Sequence, residues 1–195
     1  KDLLNRCLAQ GSVVGPLVLP GDTVGINPVK ERSVASLVGT LGDKGGVLKY
    51  TGTEWINTGG GLSGFWVPCL AYDSLHNMLY AGAGAGVADI NHFGHSVWKY
   101  DGTNWTDTGG VVSSYSVNSL ACDSARNTVY AGCFQDMGGK GVWKYDGASW
   151  TKISNEEMPN YRFRPLAHDS NSNLLYAGCM DEMVNGKGVW KYGGR

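Results

Sequence analysis

An all-β architecture of short four-stranded antiparallel sheets, stacked sheet against sheet about a common axis, is predicted by three observations. First, residues 45–195 repeat one pattern four times: Gly46-Val47-Leu48-Lys49-Tyr50 returns as Ser96-Val97-Trp98-Lys99-Tyr100, as Gly141-Val142-Trp143-Lys144-Tyr145 and as Gly188-Val189-Trp190-Lys191-Tyr192. The tyrosines lie 50, 45 and 47 residues apart, a period that suits β repeats in which each unit buries its faces only against its neighbours. Second, glycine is abundant (30 of 195 residues) and proline is not (6), which indicates many tight turns between short strands rather than collagen or disorder. Third, the repeated strand carries bulk on both faces, Val142 and the Lys144 stem on one, Trp143 and Tyr145 on the other. A sheet with one wet face would alternate apolar with polar.

The third unit gives the clearest elements. Residues 117–122 alternate and are rich in small and apolar side chains, as a half-buried strand requires. Asp123-Ser124-Ala125-Arg126-Asn127 follows as a turn, since Asp, Ser and Asn bond the local backbone and tolerate left-handed conformations. Thr128-Val129-Tyr130-Ala131-Gly132 is the second strand, and a glycine-rich connection leads to Val142-Trp143-Lys144-Tyr145 as the third. Asp146-Gly147 signals a tight hairpin, and Trp150-Thr151-Lys152-Ile153 is the fourth strand. The second unit matches with strands over 67–72, 78–82, 97–100 and 105–108. The fourth unit matches over 164–168, 174–178 and 189–192. The first unit has its third and fourth strands at 47–50 and 55–58, its second at 34–38, and its first within 16–20 or 23–26. Trp55, Trp105 and Trp150 recur on the fourth strand, where a large ring seals the contact between neighbouring sheets. They are read as packing residues, and the repeated Lys49, Lys99, Lys144 and Lys191 as stems that carry their ammonium groups to water.

The repeats resemble the blades of a β-propeller of the kelch or Asp-box kind over roughly residues 33–195. The resemblance rests on Tyr-Ala-Gly closing the second strand (Tyr80, Tyr130, Tyr176), a Tyr-Asp-Gly turn, and a downstream tryptophan. Kelch repeats have a double glycine where this chain has Ala-Gly, and a longer step than Tyr100 to Trp105. Asp-box turns read Asp-x-Gly-x-x-Trp, against Asp101-Gly102-Thr103-Asn104-Trp105 and Asp146-Gly147-Ala148-Ser149-Trp150 here. The resemblance implies about four antiparallel blades around a channel, preceded by a separate segment over 1–32. The last blade lacks its outer strand, because the chain stops at Tyr192-Gly193-Gly194-Arg195 where earlier repeats continue to their tryptophan. The edge formed by Val189, Trp190, Lys191 and Tyr192 then needs a cover. The cover is either the returning N-terminal segment or a strand from a neighbouring chain, unless the chain is a fragment of a longer protein.

Composition narrows the function classes. The 16 basic and 17 acidic residues give a net charge of −1 with no block of like charge, which argues against a nucleic-acid or anionic-membrane partner. No apolar run approaches the roughly 18 residues needed to cross a bilayer. Cys7, Cys69, Cys122, Cys133 and Cys179 contain no CxxC pair, which disfavours structural zinc. Cys133 and Cys179 follow Tyr-Ala-Gly in consecutive repeats and are read as buried free thiols, the alternative being a disulfide through Cys7 or another chain. The chain begins at Lys1, from which removal of a preceding segment is expected.

Variable loops on a rigid scaffold are where function is usually grafted, and the resemblance gathers the loops joining second to third strands with those joining consecutive repeats. The ligand-binding candidates on that face are Trp66, Asp89, His92, His95, Tyr115, Asp136, Tyr161, Arg162, Asp181 and Glu182. Asp89, His92 and His95 are donors of the kind that bind zinc, and Asp136, Asp181 and Glu182 suit calcium. In their glycine-rich, motif-free context all six are read as polar loop residues, with no metal and no cofactor. Asp89, Asp136, Asp181 and Glu182 also supply the carboxylates a glycosidase needs. Only Arg162 and Arg164 lie near the face, short of the arginine cluster that would hold a substrate carboxylate. No catalytic set emerges. The expected function is a non-catalytic propeller for protein interaction or self-assembly, completed by strand exchange, as an extracellular or cell-surface structural subunit. Its expected partners are proteins, first of all copies of itself. A carbohydrate-binding propeller, stacking sugars on Phe65, Trp66, Tyr115, Tyr161 and Phe163, is the alternative, and a glycosidase-like enzyme the second alternative.

Overall fold

The computed structural model describes residues 37–40, 46–51, 53–63, 65–84, 96–134, 141–154, 162–180 and 186–193. Among the described residues fourteen strands follow one another: β1 (Leu37–Thr40), β2 (Gly46–Tyr50), β3 (Trp55–Asn57), β4 (Trp66–Asp73), β5 (Met78–Gly84), β6 (Val97–Tyr100), β7 (Trp105–Asp107), β8 (Ser116–Asp123), β9 (Thr128–Phe134), β10 (Gly141–Tyr145), β11 (Trp150–Lys152), β12 (Arg162–Asp169), β13 (Leu174–Met180) and β14 (Gly186–Gly193). They form four antiparallel meanders, β1-β2-β3, β4-β5-β6-β7, β8-β9-β10-β11 and β12-β13-β14, called sheets 1 to 4 below. Sheets 2 and 3 have four strands; sheets 1 and 4 have three among the described residues. The innermost strands β4, β8 and β12 pack side by side, β4 on β8 and β8 on β12. Sheet thus stacks on sheet, as the repeats predict.

The turns explain themselves chemically. Each first hairpin closes through an asparagine in the left-handed region, Asn77 (φ 53°), Asn127 (φ 49°) and Asn173 (φ 53°), a conformation asparagine tolerates better than most residues. The residue before the repeated valine of the third strand also has positive φ in every sheet: Gly46 (137°), Gly141 (140°), Gly188 (83°) and, in sheet 2, Ser96 (68°). The non-glycine exception is held by its hydroxyl, which donates to the Asp107 carboxylate.

The Asp-Gly pairs lie in tight hairpins, as expected; β6–β7 and β10–β11 are joined by four-residue loops, 101–104 and 146–149. The aspartates fold these loops over themselves. Asp101 accepts the N–H groups of Thr103 and Asn104 at 2.8 and 2.7 Å, and Asp146 those of Ala148 and Ser149 at 2.9 and 2.8 Å. The second strand of the first repeat, expected to end at Val38, runs on to Thr40 as β1 (Leu37–Thr40), and residues 34–36 lie outside the described residues. Leu37 pairs with Lys49 and Gly39 with Val47, as Tyr80 pairs with Lys99 and Gly82 with Val97. Leu37-Val38-Gly39 is therefore the decayed Tyr-Ala-Gly, and its lost tyrosine is why the sequence signal drifted upstream. Residues 1–32 and the strand expected at 16–20 or 23–26 lie outside the described residues.

The core is the set of contacts between sheets. Trp105 of sheet 2 is buried with Val47 of sheet 1 and with Val67, Leu79 and Ala81 of its own sheet. Trp150 of sheet 3 packs on the matching cluster of Val97, Val117, Val129 and Ala131. Each ring lies on its own tyrosine, Tyr100–Trp105 at 4.9 Å and Tyr145–Trp150 at 5.0 Å between centroids. Each indole N–H is taken by a threonine of the preceding sheet, Thr58 Oγ1 at 2.9 Å and Thr108 Oγ1 at 3.1 Å. Those hydroxyls donate in turn to the carbonyls of Val47 and Val97 at 2.8 and 2.7 Å. Glycine underlies the rings: a Cβ on Gly60 would come within 3.2 Å of Trp105, and one on Gly110 within 3.3 Å of Trp150, and both glycines have positive φ (74° and 75°). We call this arrangement the tryptophan clasp.

Thr58→Val keeps the shape of the clasp but strands the Trp105 N–H, whose residue is only 8% exposed. The variant is expected to lose about 1–3 kcal/mol of unfolding free energy in urea titrations; an unchanged midpoint would show that the bond contributes nothing. A second expectation concerns pH. Backbone N–H donors hold the exposed Asp101 and Asp146 carboxyls below their ordinary 3.8, and the Ser172 hydroxyl with two backbone amides does the same for Asp169. With folded-state values depressed, the stability they add is complete above that ordinary value and is lost as pH falls through the lower one. The urea midpoint is expected to fall on acidification below about pH 4, and less steeply in the Asp101→Asn, Asp146→Asn, Asp169→Asn triple variant. Equal slopes would contradict the assignment.

Candidate functional site

Two surfaces combine exposure with built geometry. The first is an axial groove across the innermost strands. β4, β8 and β12 each lose register with their partner at the same place, between Trp66 and Cys69, between Val117 and Ser119, and between Phe163 and Leu166. Such bulges re-aim side chains, and Pro68 and Pro165 fall in two of them, where a missing N–H breaks no ladder. Side by side, the bulges open a groove of about 410 Å3 lined among others by Trp66, Asn118, Ser119 and Arg164. The Trp66 indole N–H and the Ser119 hydroxyl are buried there without a hydrogen-bond partner. Cys69, also on the groove, donates its thiol to the Val117 carbonyl at 3.6 Å. Burial pushes its pKa up to about 12, so it is no nucleophile at neutral pH.

The second surface is the outer side of sheet 4. β14 pairs with β13 on one side and is the last strand of its sheet among the described residues. Between sheets 3 and 4, beside β14, lies an opening of about 260 Å3 whose walls include Val142, Phe163, Leu175, Ala177 and Tyr192.

The residues expected from sequence fall as follows. Trp66 lines the axial groove. Tyr115 is half-buried and packs against Trp143 at 5.7 Å, beside the core between sheets 2 and 3. Arg162 begins β12 opposite Met180, and its neighbour Arg164 reaches the groove. Val189, Trp190, Lys191 and Tyr192 all belong to β14. Asp89, His92, His95, Asp136, Tyr161, Asp181 and Glu182 lie outside the described residues. Of the aromatics expected to stack on sugars, Phe163 is fully buried and Phe65 packs on the core between sheets 1 and 2; both are packing residues. The recurring Asp-Ser pairs are turns: Asp73 accepts the Leu75 and His76 amides at 3.1 and 3.2 Å, and the Ser124 hydroxyl accepts the Ser74 amide of the sheet before at 3.2 Å. Sequence reasoning missed Asn118 and Ser119. The signal available was proline inside an inner strand, a mark of a bulge.

No protein-family model matches the chain, and no curated protein matches it. Solved structures do. The chain is similar to the GH74 enzyme of Niastella koreensis, with a TM-score of 0.56 and 20% identity, over 80% of this chain and 26% of that one. It is also similar to a chain of a nidogen/laminin complex, with a TM-score of 0.57 and 14% identity, over 81% of this chain and 60% of that one. These are propeller-type proteins built from antiparallel sheets. The fold is that of a β-propeller. This chain spans about a quarter of the first structure and three-fifths of the second, and at such identities the likeness is one of fold.

Cys69, Cys122, Cys133 and Cys179 are free thiols. Burial pushes Cys122 up to about 12 and Cys133 higher still. In the native protein at pH 8, iodoacetamide is expected to leave Cys69, Cys122 and Cys133 unmodified until denaturant is added. Rapid native labelling of Cys133 would contradict the buried core.

Proposed function

We propose that this propeller is non-catalytic and serves protein interaction and self-assembly, as an extracellular structural subunit completed by strand exchange at β14. The observation that carries the proposal is the face of sheet 4 that continues the stack. Val47, Val97 and Val142 are 1%, 0% and 4% exposed, each covered by its surroundings, whereas the equivalent Val189 is 72% exposed. Tyr80 and Tyr130 are 4% and 3% exposed, and the equivalent Tyr176 is 36% exposed. A valine that is core in three sheets and a tyrosine that is core in two are surface in sheet 4, and apolar surface of this kind marks interaction sites. The last strand of a sheet also offers a row of backbone donors and acceptors to an added strand. The resemblance of the turns to kelch and Asp-box repeats supports blades that dock on further blades. One propeller-type structure the chain resembles was solved as a nidogen/laminin complex, which supports a protein partner.

A second reading, glycan binding, is favoured by the axial groove, where Asn118 and Arg164 bring polar groups beside Trp66. Its test is a glycan array with the parent and an Arg164→Ala variant; no signal from the parent ends it.

The first reading is tested by light scattering over a concentration series. The parent is expected to associate with rising concentration, and Val189→Lys, at an exposed position, to stay monomeric with an unchanged circular dichroism spectrum. A parent that is monomeric throughout would contradict self-assembly.

A further inference from the structure

We infer that the opening between sheets 3 and 4 is a receptor for one tryptophan side chain, carried on an acidic extended segment outside residues 1–195 that adds to β14. The inference rests on the interaction role proposed for β14 and names what that partner must carry.

The molecule contains the same receptor twice more, filled both times. Val142, Phe163, Leu175 and Ala177 wall the opening. Their counterparts Val47, Val67, Leu79 and Ala81 enclose Trp105, and Val97, Val117, Val129 and Ala131 are the cluster on which Trp150 packs. The floor also repeats: Tyr192 lines the opening, where Tyr100 and Tyr145 stack on their tryptophans at 4.9 and 5.0 Å. An apolar recess whose two equivalents each take an indole is shaped for an indole.

Register follows from the filled sites. Trp105 pairs with Tyr100 and Asp107 with Trp98; Trp150 pairs with Tyr145. An incoming strand therefore runs antiparallel to β14 with its tryptophan opposite Tyr192. Charge selects between the two templates. Segment 101–109 carries Asp101 and Asp107, whereas 146–154 carries Asp146 and Lys152. β14 carries Lys187 and Lys191, so it is complementary to the acidic template. One feature differs from the filled sites. The threonine that receives the indole N–H is replaced by Ile153, and the nearest hydroxyl on the opening is that of Ser154. That hydroxyl accepts the Val142 amide at 3.2 Å and keeps a second lone pair for an indole N–H.

The chain's own N-terminal segment does not fit this receptor. Residues 1–36 contain no aromatic side chain, and the seven tryptophans, at 55, 66, 98, 105, 143, 150 and 190, all lie in strands of the four sheets. The occupant therefore lies outside these strands and outside residues 1–36.

The test is fluorescence anisotropy of end-labelled peptides titrated with the full chain. The parent peptide has the sequence of residues 101–109, Asp-Gly-Thr-Asn-Trp-Thr-Asp-Thr-Gly; its companions carry Trp→Ala, Trp→Phe, or the tryptophan moved by one position. Saturable binding of the parent is expected, weakened about tenfold or more by Trp→Ala and by the one-residue shift, which turns the side chain to the other face. Trp→Phe is expected to fall between, and Ser154→Ala in the protein to narrow the gap between Trp and Phe. Equal binding of the parent and Trp→Ala peptides would overturn the indole receptor and leave the edge reading standing. Absence of peptide binding in a protein that still associates through Val189 would also overturn the receptor alone. Absence of both would overturn the receptor and the proposed function together.

Discussion

Each sheet of this protein is apolar on both faces, so none is stable until both faces are covered, and the tryptophan clasp is how one sheet covers the next. The ring of Trp105 or Trp150 lies on its own tyrosine, fills the recess against the sheet before, and hands its N–H to a threonine there. Aromatic rings of this size bury large areas and pack beyond their area when stacked. The threonine removes the cost of a buried, unpaired donor. Several oddities of the sequence serve this one contact. The Thr-Gly-Gly runs at 58–60 and 108–110 place the acceptor and then remove the side chain that would strike the ring.

The same dependence explains sheet 4. Its valine, tyrosine and recess are those of the sheets before, yet Val189 and Tyr176 are open and the recess beside Tyr192 holds no ring from the described strands. Two separate demands meet there: a face that continues the stack, and an edge that takes a strand with an aromatic anchor. The contacts that build the propeller thus also state what a partner must present. The axial groove is a different kind of surface, made by bulges and by proline, with Asn118, Ser119 and Arg164 set among apolar walls.

Much of this was legible in the residues. The Val-Trp-Lys-Tyr echoes gave the third strands almost to the residue, because a period near 47 and bulk on both faces leave little besides stacked sheets. The fourth-strand tryptophans were legible as packing groups for the same reason. The strand now seen at Leu37–Thr40 was expected to end two residues earlier, at Val38, because its tyrosine had been replaced, and only pairing with β2 reveals the register. The Asp-Gly hairpins were legible too, whereas the four-residue loop length was not, because it is set by the aspartate side chain bonding backbone amides. The groove was nearly invisible: bulges come from how three inner strands are paired, and Asn118 and Ser119 look like any alternating strand. Phe163 shows the reverse error, a residue beside a loop whose ring is wholly in the core.

Hydrogen exchange read residue by residue tests the central claim most directly. In the isolated chain the amides of β6 and β10, held between strands on both sides, should be strongly protected. Those of β14 that face away from β13 should exchange orders of magnitude faster, and slow when a tryptophan-bearing strand is added. Equal protection of β6, β10 and the outward amides of β14 in the isolated chain would contradict the account.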